Sequence, residues 1–370
     1  MQVEQSKWSL NLGWEQLSNH QLREKAQLVL AFGNENVIKD EKRFEEIKEQ
    51  YPKAEIITCC TDGEILNELI LNDGITLSAI YFKHTQIQTL CIPVSKVKDS
   101  FDAGTHLSAD LEKDHINSLL IFGDSQALVA SDLLMGIGIN LASHVPILGG
   151  LSTSHTGLNS IPKHGTVIGV GFSGDKLKVG HSVDQGWTTL GAEKTITKAV
   201  DQRVYEIDDK ACIHFYEQYL AGIVSDVKSR VIEYPLGIKN IENSRLVRSM
   251  LEIHDDGSIT FAGSFRNGDQ VRMMKSSTHK LLLSSELAAE ESIKSLGNTP
   301  EFVLQFNCVG RRQVLKDWLS EEQEYINSKF EKSTPMMGFY SHGEIAPLKA
   351  KSNSELHNQS VVFNTFCETE

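Results

Sequence analysis

Leu28-Val29-Leu30-Ala31-Phe32-Gly33-Asn34 is a short, uninterrupted apolar run that ends in a turn, the pattern of a strand buried on both faces. The pattern returns in Leu119-Leu120-Ile121-Phe122-Gly123-Asp124 and again in Phe302-Val303-Leu304-Gln305-Phe306-Asn307. Outward from each run the chain repeats itself. Helices are predicted over 40–50, 127–142 and 315–330, and a second short strand follows at Ile56-Ile57-Thr58, Pro146-Ile147-Leu148 and Met336-Met337-Gly338. A third apolar run closes each unit at 77–82, 167–172 and 361–366. Duplicated strand-helix-strand units of this kind define an α/β class. The first and last units also share a corner after the second strand: Cys60-Thr61-Asp62-Gly63-Glu64-Ile65 matches Tyr340-Ser341-His342-Gly343-Glu344-Ile345.

Between the second and third units the texture changes. Residues 246–253, 258–264 and 269–274 read as strands joined at Asp255-Asp256-Gly257 and Asn267-Gly268, which are hairpin turn sequences. They predict a β-meander in the C-terminal half, preceded by a helix at 211–220. The expected organisation is an N-terminal arm or helix over 1–27, a first domain over 28–222 and a second over 223–367. Gly169-Val170-Gly171-Phe172-Ser173-Gly174 has the spacing of a dinucleotide-binding loop. Pyrophosphate binding needs a helix next, and the alternating Asp175-Lys176-Leu177-Lys178-Val179-Gly180-His181 predicts a β-hairpin instead.

Composition excludes several functions. At 370 residues with 40% hydrophobic and 23% charged, the chain can build a sizeable core. Its net charge of −13 repels a phosphate backbone, so no nucleic-acid partner is expected. Cys59, Cys60, Cys91, Cys212, Cys308 and Cys367 form no CxxC pair and read as the reduced thiols of a cytoplasmic protein. The most apolar stretch, Leu133 to Gly150, carries Asn140 and His144 and is too polar to span a bilayer. The opening Met1-Gln2-Val3-Glu4-Gln5-Ser6-Lys7 lacks a signal-sequence pattern. A soluble, cytoplasmic chain with no membrane partner is the expectation.

These residues resemble the FIST family, whose members join an N-terminal and a C-terminal FIST domain. The N-terminal resemblance lies in Ile56 to Ile65, Val145-Pro146-Ile147-Leu148-Gly149-Gly150, Gly186-Trp187 and Val204-Tyr205-Glu206-Ile207-Asp208. The C-terminal one lies in Tyr234-Pro235-Leu236-Gly237, Val247-Arg248-Ser249, Phe306-Asn307-Cys308-Val309-Gly310-Arg311, Gly338 to Ile345 and His357-Asn358. Their order runs from Leu28 to Phe366. The resemblance implies a sensory module for a small ligand rather than an enzyme. Stand-alone members of the NosP kind, similar in length, bind non-covalent haem b, sense nitric oxide and regulate a partner histidine kinase in trans. A haem-free sensor of amino acids or another small metabolite is the alternative, and a cysteine-dependent hydrolase or transferase is the third reading.

The candidate residues follow from chemistry as well. Gly149 and Gly150 let a backbone approach a ligand, and Ser152 beyond them offers a hydroxyl to a carboxylate; a tight turn uses the same residues. Glu64 and Glu344, with Thr61, Gly63 and Gly343, sit in matching corners, where they could grip an amino group or brace their turns. Arg248 and Arg311 can pair with a ligand carboxylate or with carboxylates of the fold, and Asn358 adds an amide. Cys60 as nucleophile needs a positioned base that no local signature supplies; a buried structural thiol is the other reading. His144, His155, His181, His342 and His357 are candidates for one haem axial ligand. The pocket is expected where the motif-bearing turns converge or where the domains meet.

Overall fold

The computed structural model describes residues 1–18, 21–111, 115–220, 231–239, 245–349 and 352–370. The three apolar runs become the first strands of three mixed sheets: Leu28–Gly33, Ser118–Asp124 and Phe302–Cys308. Each pairs in parallel with the second strand of its own unit, Glu55–Cys60, Ile147–Ser152 or Met336–Ser341. Each pairs antiparallel with the third, Gly74–Tyr81, Thr166–Ser173 or Val361–Glu368. Parallel neighbours need a crossover, and the helices Glu41–Gln50, Ala130–Ile137 and Leu319–Asn327 lie in those connections.

A further strand locks the units together. The hairpin after each second strand does not return to its own sheet. Glu64–Leu66 of the first unit pairs with Met336–Ser341 of the third, and His155–Leu158 of the second pairs with Glu55–Cys60 of the first. Glu344–Pro347 of the third completes the circle by pairing with Ile147–Ser152 of the second. Every sheet therefore contains a strand from another unit.

The faces turned toward the shared centre pack on aromatic rings. Phe32, Phe122 and Phe306 hold the same place in their first strands and gather with Phe339. Centroid separations run from 4.8 Å for Phe32–Phe339 and 5.1 Å for Phe306–Phe339 to 5.7 Å for Phe32–Phe122 and 6.2 Å for Phe122–Phe306. Phe82, Phe172 and Phe366 close the other end at 5.8 and 6.1 Å. The outer faces carry helices: Phe44 and Ile47 cover Val29, Ala31 and Ile56, and Leu107 and Leu133 cover Leu119 and Ile121. Burial on both faces is why these strands read as unbroken apolar runs.

Four local expectations change. Residues 1–27 supply a β-hairpin, Gln2–Ser9 with Gly13–Gln16, because Gly74–Tyr81 has a free edge that Gln2–Ser9 pairs along its whole length. Thr166–Ser173 and Leu177–Asp184 are both strands but not a hairpin; the first joins the second sheet and the second edges the third. In the meander, Met250–Ile253 and Ile259–Phe261 pair around Gly257, whose φ is +77°. Gln270–Lys275, however, leaves them and inserts between Leu236–Lys239 and Thr188–Val200. The result is a separate, fourth sheet of eight strands with the helix Cys212–Leu220 in its core. The helix predicted over 315–330 begins as Val309–Leu315 and breaks at Lys316, whose φ is +50°. Among the described residues, no helix is long and apolar enough to cross a membrane.

The central rings should carry stability out of proportion to their number. Phe306→Ala is expected to cost about 3–5 kcal/mol in equilibrium urea unfolding. A loss below about 1 kcal/mol would mean the ring cluster does not hold the sheets together.

Candidate functional site

The three corners are built alike and meet one another. Thr61 Oγ1 donates to Glu64 Oε1 at 2.7 Å, and Ser341 Oγ donates to Glu344 Oε1 at 2.5 Å. Gly63 and Gly343 turn the chain with φ of +127° and +156°, where a side chain would strain the backbone. The second unit places His155 at the head of its hairpin, where the others have glutamates, and Ser152 Oγ donates to Gly123 O at 3.1 Å. Backbone bonds join the corners: Thr153 N donates to Cys60 O, His342 N to Leu151 O and Leu151 N to Gly343 O. His342 Nε2 lies 2.6 Å from Asp62 Oδ2, and this hydrogen bond holds the Asp62 carboxyl below the usual carboxylate range. Gly149 and Gly150 lie within the second sheet, where Phe306 occupies the space a Gly150 side chain would need.

These corners are closed. Glu64 and Glu344 are fully buried, and burial pushes both carboxyls up to about 8. Glu344 also accepts from Ser360 Oγ at 2.6 Å and from the Cys308 thiol, so it braces the turn. Burial pushes the Cys60 thiol up to about 12, which leaves no thiolate nucleophile near neutral pH. Arg311 has gone to the fold: its Nε donates to Glu322 Oε1 at 2.9 Å, its Nη1 to Gln185 O at 3.1 Å and its Nη2 to Ser285 Oγ and Leu281 O. Of the two uses open to Arg311 in the sequence, ligand carboxylate or carboxylate of the fold, the structure shows the second, a buried ion pair with Glu322; a buried guanidinium without such partners is strongly destabilising.

Arg248 and Asn358 lie elsewhere, at the seam between the fourth sheet and the repeats. Arg245–Arg248 is an edge strand of the fourth sheet, and Ser354–His357 edges the second sheet. Arg248 Nη1 bridges them by donating to Leu356 O at 2.7 Å, while Arg248 Nε has no partner. Ser249 Oγ, Gln359 Oε1, His357 Nδ1 and both polar atoms of the Asn358 side chain are likewise buried without a protein partner. Buried polar groups are ordinarily paired, so this concentration marks a surface that water or a ligand satisfies. Cys308 lies close by, with the backbone N–H groups of Gln359, Arg311 and Gly310 directed at its sulfur, and burial pushes its thiol up to about 12. Ser249, Cys308, Gln359 and Ser360 carry no signature of their own in the sequence. Their adjacency to Arg248, Gly310-Arg311 and His357-Asn358 is the one signal that could have found them.

Beside Arg248 a cavity of about 570 Å³ opens between the helix Ala130–Ile137 and the two edge strands, within the range of small-molecule sites. Leu134, Met135, Ile139, Leu246 and Leu356 give it apolar walls, and Arg248, Arg266 and Glu355 give it a charged end. None of the corner residues lines it.

The histidines are dispersed. His357 is buried and neutral: burial pushes it down to about 4, and its Nε2 donates to Ala346 O at 3.0 Å. His155 bonds Ser154 Oγ at 2.6 Å and packs edge-on to His164. His144 is exposed and shares a cavity of about 270 Å³ with His181. Haem needs an apolar room and an axial ligand in one hollow, and the candidates for that ligand here are histidines. The cavity with the histidines has half the volume, and the larger cavity presents arginines and no histidine. The residues at these two cavities do not fit haem.

This is an α/β protein with a small-molecule cavity at an internal seam. The chain belongs to the FIST family, matching the FIST N domain over residues 27–210 and the FIST C domain over 213–347. FIST domains are sensory, ligand-binding domains of signalling proteins. No curated protein matches the chain. The junction of the two matched segments falls inside the fourth sheet, which takes strands from both.

The two raised carboxyls predict a pH dependence. Between the ordinary value of 4.5 and about 8 the folded protein keeps two protons that the unfolded chain releases, so stability falls as pH rises. Above 6.5 the opposing contribution of His357, lost as pH falls toward 4, is already complete. From pH 6.5 to about 8, unfolding free energy should drop by up to about 1.4 kcal/mol per pH unit for each group. Glu344→Gln should remove about half of that slope in urea titrations. An unchanged slope would show that Glu344 is ionised in the fold.

Proposed function

We propose that this chain is a small-ligand sensor whose ligand occupies the seam cavity and whose bound state is read by a signalling partner in trans. The observation that carries the reading is Arg248, a guanidinium only 5% exposed with an unpartnered Nε, lining a cavity with apolar walls. A ligand there touches the fourth sheet and its loops through Leu246, Arg248 and Arg266, and the repeats through Leu134, Met135 and Leu356. Its affinity then depends on how the two are set against each other, which is the condition for a ligand to shift a conformational equilibrium. A histidine kinase is the partner taken from the family resemblance. The haem-free form of the sensor stands first because no histidine lines this cavity. The cysteine-enzyme reading loses support because burial keeps the Cys60 and Cys308 thiols protonated.

Protein purified from expressing cells should release on heating a small molecule, detected by mass spectrometry, that Arg248→Gln protein lacks. Identical releases from the two proteins, or none from either, would remove the seam as the ligand site. A Soret band that moves with nitric oxide would restore haem in place of the metabolite.

A further inference from the structure

Resting on the reading that the seam cavity is the ligand site, we infer that its ligand is an amphipathic organic anion: an apolar chain or ring body ending in a carboxylate. The body lies along the helix Ala130–Ile137, and the carboxylate meets Arg248 and Arg266.

The walls argue for the body. Met135 and Ile139 are 48% and 62% exposed although they border a hollow lined by Leu134, Leu141, Leu246 and Leu356. Large apolar side chains grouped around a concavity bind apolar surface, since covering them releases the water they order. A compact polar solute would leave that surface wet.

The charged end argues for the head group. The chain carries −13 overall, yet this cavity presents two guanidiniums against one carboxylate, Glu355. The lining is net positive, opposite in sign to the molecule, and attracts an anion, while Asp132 near Arg266 and Asp269 near Arg248 temper that charge from outside the lining. Arg248 is held by its bond to Leu356 O, so little side-chain freedom remains to be lost on binding. Burial pushes the guanidinium down to about 10, which is the mark of a cation lacking full compensation. A planar guanidinium fork matches a carboxylate in two parallel hydrogen bonds, which neither an alcohol nor an ammonium group can offer it. A ligand of this kind joins the two sheet edges that Arg248 already bridges.

Calorimetry on the full chain at neutral pH, with probes below their micelle concentrations, tests the assignment. Decanoate should bind about tenfold or more tighter than 1-decanol, decylammonium or acetate. Arg248→Gln should abolish the preference for decanoate over decanol, and Arg266→Gln, at an exposed position that leaves folding undisturbed, should reduce it. Ile139→Asp, also exposed, should weaken decanoate and decanol alike. Decanol matching decanoate, or a preference surviving both arginine substitutions, would overturn the anionic head while keeping the cavity as the site. Acetate matching decanoate would overturn the apolar body. No binding by any probe would remove the cavity itself.

Discussion

The cyclic exchange of hairpin strands is the constraint on which the rest of the structure depends. Glu64–Leu66, His155–Leu158 and Glu344–Pro347 each find their backbone partners in another unit's sheet. A strand edge left open in the interior would carry unpaired N–H and C=O groups, so no unit can be satisfied without the next. The corners from which those hairpins leave must also pass through the protein rather than over it. Polar residues come with them: Ser341 and Ser360 satisfy both oxygens of Glu344, and Thr61 satisfies one oxygen of Glu64 while its Oε2 is left without a partner among the described residues.

Closure of the three sheets leaves no room for a ligand at the repeats' centre, where Phe32, Phe122, Phe306 and Phe339 already fill the space. One hollow opens at the border with the fourth sheet. There the strands Ser354–His357 and Arg245–Arg248 are both outermost in their sheets, and side chains must do what backbone pairing does elsewhere. Arg248, Ser249, Asn358 and Gln359 do it incompletely, which leaves unmet hydrogen bonds along the seam.

The strand-helix-strand units were legible because strands buried on both faces must be apolar at every position. Leu28–Gly33 and Ser118–Asp124 have no exposed residue to interrupt the signal. The N-terminal hairpin was not legible, because its buried positions include Glu4 and Gln5. Glu4 accepts from Tyr51 Oη and Leu22 N, and Gln5 donates to Met336 O. Partners so far along the chain cannot be read from the local pattern. Gly174 and Asn267-Gly268 were recognisable as turns, but a turn specifies a change of direction and not the sheet that the next strand will join.

Taken alone, the sequence determined the α/β class, the three units, the acid-bearing corners and a net charge of −13, since periodicity and composition act over a few residues or over the whole chain. Only the tertiary structure decided which unit receives each hairpin and where a cavity opens. It also separated Arg248 from Arg311, which are chemically identical in the sequence. Arg311 meets the carboxylate of Glu322 in the interior, whereas Arg248 meets one carbonyl across a seam. Hydrogen-bond partners are set by position in space: Glu322 stands 11 residues from Arg311, and Leu356 stands 108 from Arg248.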